Sequence, residues 1–398
     1  MNPIIILGSG LAGYNVAKEL RKLDKETPLT VIAADSGHFY SKPMLSNALA
    51  SKKAPSAIAL NSPEQMATQL NATVRAKTRV TAINAAAHTV QIGEETLAYS
   101  KLVLALGAEQ IRLPLAGDAA DAIITVNDLD DYGRFHHLLD SAKKVVIIGA
   151  GLIGSEFAND LVVAGHHVDV IDIANQPLGR LLPPEGAALL QQKLAALGVD
   201  WHFGAGTKSV EHDSSALKVT LDNGTVLAAD IVLSAVGLKP RTDLARAAGL
   251  KINRGIVVNR NLQTSDEDIY ALGDCMEIEG LVMPYVMPIM HAARALGATL
   301  GGKPTAVSFP AMPVLVKTPA CPTIVSPPAP GAVGAWKIEQ TPDGVKSLYV
   351  DASGKLLGFA LNGAAIVERA KLAPQLPAVL AATLRSEKTD RNGPRPSK

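Results

Sequence analysis

The chain alternates short, continuous apolar runs with amphipathic stretches. "IIIL" at residues 4–7 is rich in β-branched residues and too short for a buried helix, so it reads as a strand covered on both faces. Glycines follow, and "YNVAKELRKL" from Tyr14 returns to apolar positions every three or four residues, the period of a helix with one buried face. "LTVIAAD" is then a second buried strand. Together they make a βαβ unit of about 30 residues, the building block of a parallel sheet.

The same order recurs. "KKVVIIG", "AGLIGSEFANDLVVAG" and "HHVDVID", between residues 143 and 172, again give strand, glycine turn with helix, and strand ending in an acid. "KLVLALGAEQIRLP" reads as a strand leaving the first domain, and "ADIVLSAVGLKPRTDLA" is its counterpart leaving the second. "IYALGD" at residues 269–274 is a short strand expected back in the first domain, ahead of a helix starting near Tyr285. From about residue 313 the pattern turns to Pro-rich strands, "MPVLVKTPACPTIVSPP", and a hairpin, "SLYVDASGKLLGFALNG", with Ser-Gly at its turn. The spacing therefore predicts an α/β protein with two Rossmann-like, three-layer ββα dinucleotide-binding domains and a small α+β cap. The expected divisions are 1–112 with 239–312 for the first domain, 113–238 for the second and 313–385 for the cap, with 386–398 as a disordered tail.

Composition narrows the function. At 398 residues and 47% hydrophobic the chain has material for several cores, yet no apolar run reaches the roughly 18 residues of a spanning helix. The start "MNPIIILGSG" has no basic segment, so a soluble cytoplasmic protein without membrane insertion is expected. A net charge of +1 supplies no field for nucleic acid. The two cysteines, Cys275 and Cys321, are far apart in sequence, which excludes a CxxC or CxxxxC redox disulfide. The histidine pairs His136-His137 and His166-His167 lack the spacing of helical ligands, and no metal site is expected.

The chemistry sits in the glycine turns. In "GSGLAG", Gly8, Gly10 and Gly13 permit a tight turn, approach to a pyrophosphate and close helix packing, and Asp35 is the acid expected at a ribose. Gly149, Gly151 and Gly154 repeat the set with Asp172. An acid there accepts from a 2′-OH and repels a 2′-phosphate, which favours NADH over NADPH.

Two dinucleotides in one chain, one retained and one exchanging, is the arrangement of flavoprotein pyridine-nucleotide reductases. "TSDEDIYALGD" resembles the second FAD motif of that glutathione-reductase-like superfamily, and "LVLALGA" and "IVLSAVGLKPRT" resemble its linking segments. More narrowly, "SKPMLS", "GLIGSEFANDL" and "VKTPACPTIVSPP" resemble the rubredoxin–NAD reductases of alkane-oxidising bacteria, over nearly the whole chain to about residue 375. The resemblance assigns FAD to the first turn and implies contacts from Ser9, Leu11, Ala12, Asp35, Lys42, Val80, Asp274 and Val286. It also places Lys42 and Glu156 beside the isoalloxazine on the nicotinamide side, where an ion pair between them would orient the rings, and brings Lys317 to the flavin from the cap. The bland alternatives are a solvated loop lysine, a first-turn helix acid and a strand-edge lysine.

Without a disulfide, electrons must leave the flavin directly, and the acceptor that the resemblance implies is rubredoxin, an acidic iron protein, with an alkane hydroxylase downstream. Lys42, Lys52, Lys53, Lys317 and Arg294 are candidate docking cations. A ferredoxin or flavorubredoxin reductase of the same layout competes with this reading. So, more distantly, do an NADH sensor like apoptosis-inducing factor and a flavin NADH oxidase; residues 41–47 lack the cysteine such an oxidase uses. A monomer and a homodimer are both compatible with the sequence.

Overall fold

A computed structural model describes residues 1–382; the expected tail at 386–398 and the last three residues of the expected cap lie outside them. The first domain opens with β1 (Ile4–Leu7), β2 (Leu29–Ile32), β3 (Thr73–Arg75) and β4 (Lys101–Leu104). The second holds β5 (Lys144–Ile148), β6 (His167–Asp172), β7 (Val199–Phe203) and β8 (Ile231–Ser234), after which β9 (Ile269–Ala271) rejoins the first. The two sheets run β9-β4-β1-β2-β3 and β7-β6-β5-β8, all neighbours parallel. In each, the first strand of the βαβ unit sits between two neighbours, which explains its unbroken apolar run: Ile4–Leu7 are all buried.

Each domain also carries an antiparallel three-stranded sheet, Ala82–Asn84, Thr89–Ile92 and Glu95–Ala98 in the first, Thr207–Asp213, Ala216–Leu221 and Val226–Ala229 in the second. These complete the ββα layering. The two linking segments pair with each other, Ala108–Gln110 antiparallel to Leu238–Pro240, so the chain leaves and re-enters the first domain through one two-stranded hinge.

The cap is an antiparallel sheet, ordered β10-β11-β14-β13-β12, from β10 (Val314–Val316), β11 (Thr323–Ser326), β12 (Ala335–Thr341), β13 (Gly344–Val350) and β14 (Leu356–Gly363). The hairpin β13–β14 forms as the Ser-Gly turn predicts, with Gly354 at φ +86° and the Asp351 carboxylate accepting from the backbone of Ser353 and Lys355. β12 was not expected: its alternation exposes Ala335, Lys337 and Glu339–Thr341, so it carries no apolar run.

Three helices matter for the site. α1 (Leu11–Arg21) follows the first glycine turn, α2 (Leu152–Val163) follows the second, and α3 (Val286–Leu300) starts beside the expected Tyr285. α3 lies so close to α1 that a Cβ on Gly297 would stand 2.6 Å from that of Glu19. One apolar core covers the first sheet; a second joins Tyr40, Leu45 and Ala48 to the second domain and to Val316, Cys321 and Val325 of the cap. Residues 40–48 therefore bridge all three parts. Among the described residues no helix is long and apolar enough to cross a membrane.

Candidate functional site

The two glycine turns have the same construction. A Cβ on Gly8 would stand 2.2 Å from the Ala105 carbonyl oxygen, and one on Gly13 would stand 1.8 Å from that of Gly8. In the second turn the corresponding approaches are 2.8 Å for Gly149, to Ala235, and 1.8 Å for Gly154, to Gly149. Gly8 and Gly149 also lie at φ +115° and +107°, where a side chain is strained. These four glycines answer to the protein's own packing. Gly10 and Gly151 do not: each has ordinary φ, near −66° and −71°, and nothing within 4 Å of an added Cβ.

That open space lies at the N-termini of α1 and α2. Neither helix has a side-chain cap or an acid in its first turn, so their free N–H groups face outward with the positive end of the helix dipole. The donor set and the room fit a dinucleotide pyrophosphate at each turn.

The acids are held in matching ways. Asp35 Oδ1 accepts from Ser9 Oγ at 3.0 Å and Gly37 N at 2.9 Å, so Ser9 orients the acid. Asp172 accepts from Ala150 N at 2.6 Å and Ala174 N at 2.8 Å. Ile173 beside it is 80% exposed and offers no cation to a 2′-phosphate. Asp35 lies three residues past β2, whereas Asp172 is the last residue of β6.

Lys42 begins a short 3₁₀ helix, Lys42–Ser46, and is not a solvated loop lysine. Its Nζ donates to Asn127 Oδ1 at 2.6 Å and lies 3.9 Å from Asp274 Oδ2. Burial lowers the ammonium's pKa against the pull of Asp274, while burial raises the Asp274 carboxyl against the pull of Lys42. Asn127, which the sequence reading missed, is itself fixed by donating to the Ala108 carbonyl at 2.9 Å. Only its place before the Asp128 N-cap marked it. Asp274 stands next to Gly273, whose added Cβ would meet Ala12 at 2.8 Å; the second acidic motif thus abuts the first glycine turn.

Glu156 is the fifth residue of α2 and wholly buried, which excludes a first-turn dipole role. Its Oε1 accepts from Lys317 N at 2.9 Å; its Oε2 accepts from Ser46 Oγ at 2.6 Å and pairs with Lys317 Nζ. The expected ion pair between Lys42 and Glu156 is not formed: each charge has another partner, because β10 delivers Lys317 directly onto α2. Ser46 was unnoticed, although "SKPMLS" contains it. Two further residues of α2 extend this contact, Asn159 accepting from Ala320 N and Asp160 from Leu49 N and Ala50 N. One helix face so clamps a loop of the first domain and a loop of the cap.

The remaining sites divide. Leu11 and Ala12 open α1; Val80 is half-buried on the first core. Val286 begins α3, whose N-cap Tyr285 makes no side-chain cap bond. Lys317 is removed from the set of docking cations, since its ammonium is committed to a buried carboxylate. Lys52, Lys53 and Arg294 are exposed. Both cysteines are buried and unpaired, and burial pushes the Cys275 thiol up to about 12.

Residues 2–297 match the profile of the pyridine nucleotide-disulphide oxidoreductases, and residues 306–376 match that of the rubredoxin binding C-terminal domain. The chain is 48% identical over 381 residues to a rubredoxin-NAD(+) reductase of Alcanivorax borkumensis, covering 96% of this chain and all of that one. It is 36% identical to a nitric oxide reductase FlRd-NAD(+) reductase of Aeromonas hydrophila, covering 94% and 96%. Among solved structures it resembles a ferredoxin reductase of Rhodopseudomonas palustris, with a TM-score of 0.85 and 26% identity over 96% of this chain and 98% of that one. A covalent putidaredoxin reductase–putidaredoxin complex matches with a TM-score of 0.83 and 28% identity, 94% of each chain being covered.

Proposed function

The chain belongs to the pyridine nucleotide-disulphide oxidoreductase family, and from that premise we propose that it is an NADH-dependent FAD flavoprotein that reduces rubredoxin, with an alkane hydroxylase as the downstream consumer. The match of residues 306–376 to a rubredoxin-binding domain carries this reading. It is supported by identity close to one half with rubredoxin-NAD(+) reductases along nearly the full length, and by cysteines that are buried, unpaired and unsuited to relay electrons.

In this reading residues 1–112 and 239–312 hold FAD and residues 113–238 receive NADH. Bound FAD supplies the conversion of a two-electron hydride donor into single electrons for an iron protein. The α1 turn and Asp35 would hold the adenosine-side phosphates and ribose, and Asp274 would hold the ribityl chain. Lys42, steadied by Asn127, would present a cation to the ring. The first turn of α3, with Val286, would offer N–H groups and the positive helix end to the flavin, where they would favour negative charge. The α2 turn and Asp172 would seat NADH, and Glu156, gripped by Ser46 and Lys317, would stand on the nicotinamide side of the flavin. Geometry of this kind works by presenting the reacting atoms at contact distance and excluding water.

The test is anaerobic titration with NADH followed by mixing with oxidised rubredoxin. Bleaching of rubredoxin within seconds, faster than reduction of a [2Fe–2S] ferredoxin, is the expected result; equal or slower reduction refutes the acceptor. Relatives named for nitric oxide reductase support a flavorubredoxin acceptor as the second reading, and the same mixing experiment with flavorubredoxin decides between them. NADH-driven alkane oxidation on adding a hydroxylase tests the downstream link.

A further inference from the structure

At the end of the second sheet opposite its glycine turn, the starts of β5, β6 and β7 gather five polar side chains. Lys144 pairs with His167 in the strand register and Asp169 with Asp200; alternation puts these four and His202 on one face. Asp169 is 97% buried by its 3% exposure, rare for a carboxylate. Its Oδ1 accepts from His202 Nε2 at 2.7 Å, but its Oδ2 has no hydrogen-bond donor. That oxygen stands 3.6 Å from His167 Nε2, and Asp200 Oδ2 stands 3.5 Å from the same nitrogen. Lys144 Nζ lies 3.3 Å from Asp169 Oδ2 without hydrogen-bond alignment.

We propose that His167 Nε2, Asp169 Oδ2 and Asp200 Oδ2 bind one divalent transition-metal cation of the Zn²⁺ class, at a site separate from both dinucleotides. Donors bound at about 2.0–2.1 Å in tetrahedral geometry stand about 3.3–3.4 Å apart, close to the separations found here. One imidazole with two carboxylates suits a borderline cation, whereas Mg²⁺ demands an octahedral oxygen shell. His202 acts as the outer partner: by donating to Oδ1 it fixes the carboxylate and leaves Oδ2 for the ion. Lys144 marks the place of positive charge, and its flexible, one-third exposed side chain swings out when the ion enters. The bound ion ties the starts of β6 and β7 together and stabilises the domain in proportion to its occupancy. Sequence spacing concealed the site because its ligands come from neighbouring strands, while His166, the adjacent histidine, turns to the Ala142 carbonyl.

Full-length, FAD-loaded protein stripped with a chelator is dialysed to equilibrium against ZnCl₂ or MgCl₂, with Tm read on the same samples. One Zn²⁺ per chain, a Tm that rises with Zn²⁺, and no response to Mg²⁺ are expected. His167→Gln and Asp200→Asn, both at exposed side chains, each weaken binding about tenfold or more. Lys144→Met, which removes the competing ammonium, tightens it. Zn²⁺ binding that is absent in the wild type, or equally tight in His167→Gln, overturns the site and leaves His167 as a contact between two carboxylates with no ion; unchanged affinity in Lys144→Met overturns the displacement of Lys144.

Discussion

The buried Glu156–Lys317 pair allows a quantitative test. Replacing Lys317 by Met removes the ammonium and leaves a carboxylate with no solvent exposure, held only by the Ser46 hydroxyl and one backbone N–H. Breaking a buried pair in this one-sided way costs about 3–5 kcal/mol, because the remaining charge is desolvated without compensation. With an unfolding entropy of about 2.1 cal/mol/K per residue, a chain of this length loses about 1.2 °C of Tm per kcal/mol, so Tm falls by about 4–6 °C. The double variant Lys317→Met/Glu156→Gln removes both charges and keeps an acceptor for the backbone N–H, so it regains more than half of the loss. Calorimetry in saturating FAD is the assay, since bound cofactor itself shifts Tm. A single variant within about 1 °C of wild type, or a double variant no better than the single, refutes the clamp between α2 and the cap.

The glycines separate packing from ligand binding. Gly151→Val enters open space, so FAD content and Tm are retained while kcat/KM for NADH falls about 100-fold or more; Gly154→Ala meets a carbonyl oxygen at 1.8 Å and lowers Tm instead. Asp172→Ala with Ile173→Arg removes the ribose acceptor and adds a cation, and charge-assisted hydrogen bonds of about 1.5–3 kcal/mol put the rise in the NADPH/NADH ratio of kcat/KM at about 10–150-fold. Burial lowers the Lys42 ammonium below 10.5, so in the window just under that value the unfolded chain binds a proton that the folded chain has released. Wild-type stability therefore rises with pH through that window, and Lys42→Met loses the rise; parallel Tm–pH curves for the two proteins would exclude it.

Much of the fold was legible because its signals are local. The runs at 4–7 and 145–148 are apolar on every residue because β1 and β5 each lie between two parallel neighbours. The glycines and acids keep the short spacing that one strand–turn–helix unit imposes. Those features require no knowledge of the rest of the chain, and they marked both glycine turns with Asp35 and Asp172, whereas Asp274 came from the resemblance alone. β12 lacks a continuous apolar run, since only Trp336 and Ile338 of its residues are half-buried.

The partnerships were not legible. Glu156 meets Lys317 across 161 residues and Ser46 across 110, and Lys42 meets Asn127 across 85. No period or motif encodes those distances. They are set when the cap sheet packs on α2 and when residues 40–48 enter the core of another domain, so the sequence could name the charged residues yet pair Lys42 with the wrong acid. The same holds for His167, Asp169 and Asp200, which strand register alone brings within reach. The sequence by itself determined which segments form strands, glycine turns and helices, because backbone geometry and burial act over a few residues. Tertiary structure decided which charges compensate each other, because a buried ion must take whatever partner the packing of distant elements delivers.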